Sequence, residues 1–143
     1  MACCILFRLR SSCIFFVVIT TALGTHAELP PSVYKDLQDK SPEALTIKVE
    51  SVRISTTDEP RFKRLDIMAE ARVETVIRSA SGLKPGDAIH ISYVRLDHKQ
   101  PLAGPSEPDI LQKGRSYPAF LVKAEKDEVY TKAARGYSFR KAN

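Results

Sequence analysis

The residues of this chain most able to do chemistry are two histidines with carboxylates near one of them. His90 lies in a run of alternating apolar and polar residues, and Asp97, His98, Glu107 and Asp109 follow within one stretch. Imidazole and carboxylate groups bind zinc and other divalent ions. The spacing matches neither H-x-x-x-H nor H-E-x-x-H, and such polar residues are typical of a solvated loop. We therefore predict no bound metal and no cofactor.

An enzyme is retained only as an alternative. Hydrolysis by a triad needs a nucleophile, a base and an orienting acid. Ser79 and Ser81 precede a turn, no G-x-S-x-G motif is present, and no catalytic residue is predicted. The alternative is a small metal-dependent hydrolase that would use His90, His98 and Asp97.

The first 27 residues have the pattern of a secretory signal peptide. Arg8 and Arg10 precede an apolar run over residues 13–24, and Thr25 and Ala27 stand at the positions that a signal peptidase reads. The run is shorter than the roughly 20 residues of a membrane-spanning helix. We predict cleavage after Ala27 and a secreted or periplasmic protein, with an uncleaved N-terminal anchor as the alternative.

Charge and cysteine content limit the classes of binding partner that the sequence predicts. The leader carries two of the 22 basic residues, none of the 17 acidic residues and all three cysteines, so the remainder has a net charge of +3 and no thiol. The charges are interspersed, and no block indicates nucleic acid or a membrane surface as a partner. Without disulfides, the domain must be held together by packing.

Alternation predicts five strands. They lie near 45–55, 65–78, 88–95, 118–125 and 128–133. In the first, the apolar phase shifts from Val49 to Val52, which indicates a β-bulge at Glu50 and Ser51. Residues 65–78 also allow a helix, but their charges keep to the even positions and favour a strand.

The remaining segments are read as turns and short helices. Gly82 and the group 85–87 predict a turn, after which His90 points outward from a strand. A short helix is expected near 32–39, and one or two helical turns are expected over 106–114. The last two strands are expected to form a short hairpin around Asp127, and residues 136–139 a final edge segment.

This order predicts a mainly β protein, a small five-stranded OB-like Greek-key barrel with one or two short helices. A small β-sandwich is the competing arrangement. The expected domains are the signal peptide at 1–27, a lead-in at 28–43, one barrel domain at 44–140 and a tail at 141–143.

The stretch "ARVETVIRSASGLKPGDAIHISY", followed by "LQKGRSYPAFLVKAE" and "GYSF", resembles the netrin-like or tissue-inhibitor-of-metalloproteinase-like branch of secreted OB-fold domains. Gly114, Tyr117, Phe120 and Leu121 match its G-x-x-Y-x-x-F-L segment. Inhibitors of this kind grip the zinc of a protease with an N-terminal cysteine. Because Glu28 is expected to begin the mature chain, the resemblance does not imply protease inhibition.

We therefore expect an exported, non-enzymatic binding or accessory module. Its partner would be a protein or small ligand in the cell envelope or the extracellular space. Loops on a rigid barrel commonly carry recognition. The proline-rich residues 96–117 are thus the expected binding surface, and Tyr93, Arg95, His98 and Tyr117 are the expected binding residues.

Overall fold

The computed structural model describes residues 29–99, 106–125 and 128–142. The predicted signal peptide and its cleavage site lie outside the described residues. The elements in chain order are α1 (Pro31–Lys40), β1 (Glu43–Asp58), β2 (Phe62–Ser79), β3 (Ala88–His98), β4 (Ser116–Lys123), β5 (Val129–Lys132) and a short 3-10 helix (Arg135–Tyr137).

The five strands close into one barrel in the order β1-β2-β3-β5-β4, with β4 pairing back onto β1. All pairs are antiparallel except β3 with β5. The prediction of a mainly β, five-stranded barrel with a short leading helix is confirmed, and each strand overlaps its predicted range.

The burial pattern of strand β2 follows the alternation of apolar and charged residues in its sequence. Its odd positions from Leu65 to Val73 are buried, whereas Met68, Glu70 and Arg72 are exposed. Successive residues of a strand face opposite sides of the sheet, so the charges of β2 point to water. The strand interpretation of residues 65–78 is therefore confirmed, and the helical alternative is wrong.

The predicted bulge in β1 is also present. Val49 pairs with Ala71 and Ser51 with Glu70, so Glu50 is the extra residue. Beyond it the inward positions change parity, as Val52 and Ile54 do. The bulge bends β1 where its pairing with β4, which covers only residues 43–48, has ended.

Two local predictions are wrong. Residues 106–112 are irregular and lead into a turn at 113–114, so no helix forms there. Residues 136–139 form no edge strand, because the 3-10 helix turns the chain and buries Phe139 against Tyr93, with ring centroids 5.0 Å apart.

Helix α1 fastens the end of the chain. Tyr34 stacks on Tyr137, and the Gln38 side-chain amide donates to the carbonyls of Tyr137 and Arg140 at 2.8 and 2.7 Å. The lead-in and the C-terminal segment are therefore one structural unit at the side of the barrel.

Candidate functional site

Tyr93 has a structural role and is not the exposed binding residue that was expected. Its hydroxyl holds Asp109 and Leu111 by two hydrogen bonds, which we call the Tyr93 clasp. Tyr93 is 3% exposed, and its hydroxyl donates to the carbonyl of Asp109 at 2.8 Å and accepts from the N–H of Leu111 at 3.1 Å. Burial raises the pKa of Tyr93 to about 12, since the phenolate would lose its hydration. The prediction of an exposed Tyr93 is wrong.

Arg95 holds the same segment from the next inward position of β3. Its Nε donates to Asp97 at 2.6 Å, and its Nη1 donates to the carbonyl of Pro108 at 3.0 Å. Glu107 accepts from the N–H of Leu96 at 3.4 Å. Residues 106–111 are therefore fastened along β3 by hydrogen bonds, and Leu111 reaches the core.

The other two expected binding residues lie elsewhere. His98 is exposed at the end of β3 with its ring edge-on to Phe62, centroids 6.1 Å apart. Tyr117 is half-buried opposite Ile47 and packs against the core. The four expected residues thus form no common surface, because Tyr93 and Arg95 face inward and His98 faces outward.

The two histidines do not share a site either. They stand eight positions apart on β3, which is roughly 26 Å at about 3.3 Å per residue. Asp97 is engaged by Arg95. Within the described residues, no group of three or more histidine, cysteine or carboxylate side chains is placed to hold a metal ion.

A pocket of about 120 Å³ opens instead on the outer face, the solvent side of β1, β2 and β3. We call it the Met68 pocket. The side chains around it are those of Ser51, Arg53, Met68, Glu70, His90 and Val129. Register explains their meeting: Arg53 lies opposite Met68, and Ser51, Glu70, His90 and Val129 form the next row across four strands.

Several charged groups of the outer face outside the pocket are already paired. Arg64 donates to Asp66, and this hydrogen bond lowers the pKa of the Asp66 carboxyl. Arg72 donates to Glu50 at 2.7 Å. Ser51 donates to Glu70 at 3.0 Å. These contacts are solvent-exposed and contribute little to stability, but they occupy the groups that they join.

Two features of the pocket remain without partners. Met68 is 58% exposed, although it lies at the centre of a polar sheet face. Among the described residues, no hydrogen bond or ion pair engages the guanidinium of Arg53. An exposed apolar side chain next to an unpaired cation is suited to binding another molecule.

The row of Ser51, Glu70 and His90 is not arranged as a catalytic triad. The carboxylate stands between the hydroxyl and the imidazole and accepts the hydroxyl directly. In a triad the imidazole must stand between the nucleophile and the acid. The arrangement can bind polar groups, but it does not activate Ser51.

Sequence reasoning missed this pocket although β2 carried a signal. Met68 is the one large apolar residue among the even, charged positions between Asp66 and Arg72. Its neighbours across the sheet depend on the β1 bulge, which could be predicted, and on the exact register, which could not.

No family model, no curated protein and no solved structure matches this chain. In the part of the chain that the structure describes, no helix is both long and apolar enough to span a membrane.

Proposed function

We propose that this protein is an exported, non-enzymatic binding module that recognises a small ligand through the Met68 pocket. The observation that carries the proposal is the 58% exposure of Met68 in the lining of a pocket on the outer face. An isolated exposed apolar residue is ordinary, but here it lines a pocket beside Arg53, a cation without an ion pair in the part of the chain that the structure describes.

The barrel is, in this proposal, of the OB type, in the netrin-like branch. Five strands with β5 inserted between β3 and β4 support this reading. The segment between β3 and β4 departs from it, since residues 106–115 are irregular. OB barrels use the face of their second and third strands for binding, which is the face that holds the Met68 pocket. The fold is support by analogy only, and the pocket's own side chains carry the function.

Amide chemical-shift mapping tests the binding face. The purified protein would be titrated with separate panels of small acids, amines, amino acids, sugars and nucleotides. We expect at least one class to shift the amides of Arg53, Met68 and His90, and Met68→Ser to abolish that shift. Ile77→Ser is the matched control, because Ile77 is 72% exposed and lies outside the pocket. Shifts confined to residues 106–117, or none on the outer face, would refute the proposal.

Export is tested separately by the mass of the protein released from expressing cells. Removal of residues 1–27 predicts a chain that begins at Glu28. A cell-bound chain that retains Met1 would contradict export by cleavage and favour the N-terminal anchor.

A further inference from the structure

The Met68 pocket contains one positive and one negative group that are not bonded to each other. Arg53 lies opposite Met68, and Glu70 lies one row further along β2, so the two are diagonal neighbours on one face. Cβ atoms in this relation are about 7 Å apart or slightly less. Glu70 uses its Oε2 to accept from Ser51, and no contact between described residues occupies its Oε1.

Beside these charges, on the β3 side of Met68 and Glu70, lies a small apolar space. Met68 and Val129 form its walls, and the paired backbones of Ala69 and Ile91 form its floor. The volume of about 120 Å³ is close to the roughly 150 Å³ of a cavity that holds one benzene molecule. The space therefore suits a single apolar group of about four to six carbons.

We propose, resting on the binding function above, that the pocket takes a free α-amino acid with an apolar side chain. Its carboxylate binds the Arg53 guanidinium, its ammonium binds the Glu70 carboxylate, and its side chain lies between Met68 and Val129. Charge-assisted hydrogen bonds to both ends orient the ligand, and the apolar contact selects its side chain.

The opposite charges of Arg53 and Glu70 are the reason that we propose a zwitterionic ligand. A ligand with a carboxylate alone would place it near the Glu70 carboxylate, and a ligand with an ammonium alone would place it near Arg53. Only a molecule with both charges meets an opposite charge at each end. Because the pocket is open to water, we expect binding in the millimolar range.

Leucine and two analogues that each lack one of its charged groups test this directly. Leucine carries both charges, 4-methylpentanoate lacks the ammonium, and 3-methylbutylamine lacks the carboxylate. In an NMR titration of the purified protein, leucine should bind at least about fivefold more tightly than either analogue. Glycine, which lacks the apolar group, should bind more weakly than leucine.

Two variants that each remove one charge test which residue binds the carboxylate and which binds the ammonium of the ligand. Arg53→Gln should lower the affinity for leucine to that for 3-methylbutylamine. Glu70→Gln should lower the affinity for leucine to that for 4-methylpentanoate. Arg61→Gln and Glu74→Gln are matched controls, because both residues are exposed outside the pocket. They should leave the preference for leucine unchanged.

The outcomes separate this proposal from the one on which it rests. If either analogue binds as tightly as leucine, the proposal of a zwitterionic ligand is wrong. Shifts of Met68 by another panel class, with leucine silent, would also overturn it but leave the binding face intact. Silence of the outer face toward every class would overturn both.

Discussion

The segment over residues 106–115 and the outer face around Met68 differ in what their composition suggests and in the contacts that they make. The segment has the composition of a recognition loop, yet Tyr93 and Arg95 hold it against β3, and Leu111 is 2% exposed. The outer face is ordinary sheet, yet it presents an exposed methionine and an arginine, Arg53, that no hydrogen bond or ion pair among the described residues engages.

The difference shows that composition is a poor guide to which groups are free. A polar segment can be held in place, because the side chains of Tyr93 and Arg95 satisfy backbone groups of Pro108, Asp109 and Leu111. A regular strand has its backbone satisfied by its neighbours, so its outward side chains are available for other molecules. The experiments below test this contrast.

The largest effect is expected at Leu111. Leu111→Ala should lower the free energy of unfolding by about 3 kcal/mol, because it removes a buried side chain and leaves a cavity. Urea denaturation measures the change. Gln112→Ala, at the exposed neighbouring position, should change it by less than about 0.5 kcal/mol. Equal effects would mean that the segment is not part of the core.

The hydroxyl of Tyr93 should matter next. Tyr93→Phe keeps the ring but leaves the Leu111 N–H and the Asp109 carbonyl without their shared partner. We expect a loss of about 2 kcal/mol in the same measurement. A neutral result would show that residues 106–115 do not depend on the clasp.

Alkaline pH should weaken the same clasp. Because the pKa of Tyr93 is raised to about 12, the unfolded chain releases this proton first as pH rises above 10. The contribution is complete below pH 10 and is lost as pH rises toward 12, with about 1 kcal/mol lost between pH 9 and pH 11. The loss should appear as the stability difference between wild type and Tyr93→Phe, which cancels groups common to both. A difference that is constant or grows with pH would contradict the clasp.

The smallest effect on stability is expected on the outer face. Met68→Ser removes an exposed side chain and should change the free energy of unfolding by less than about 0.5 kcal/mol. Chemical denaturation would check this beside the binding titrations, in which the same variant should lose its ligand. A loss of stability comparable to that of Leu111→Ala would show that Met68 is a packing residue and would remove the contrast.

Elements with a strong local pattern could be predicted well, and those that depend on distant contacts could not. The alternation from Leu65 to Ile77 predicted β2, and the phase shift after Val49 predicted the bulge. The capping pattern at residues 106–114 predicted a helix. There, hydrogen bonds from Tyr93 and Arg95 satisfy backbone groups that a helix would have used. Two of the four expected binding residues, Tyr93 and Arg95, make those hydrogen bonds, and the sequence pattern did not indicate this role.

The sequence by itself determined which residues of β2 face the core from Leu65 to Val73, because side-chain direction alternates with every residue and needs no knowledge of the neighbours. It also determined that no cysteine follows Cys13. Only the tertiary structure decided that Arg53, Met68, Glu70 and His90 share one pocket. Their proximity depends on the register of three strands, and register is set by the packing of the whole barrel.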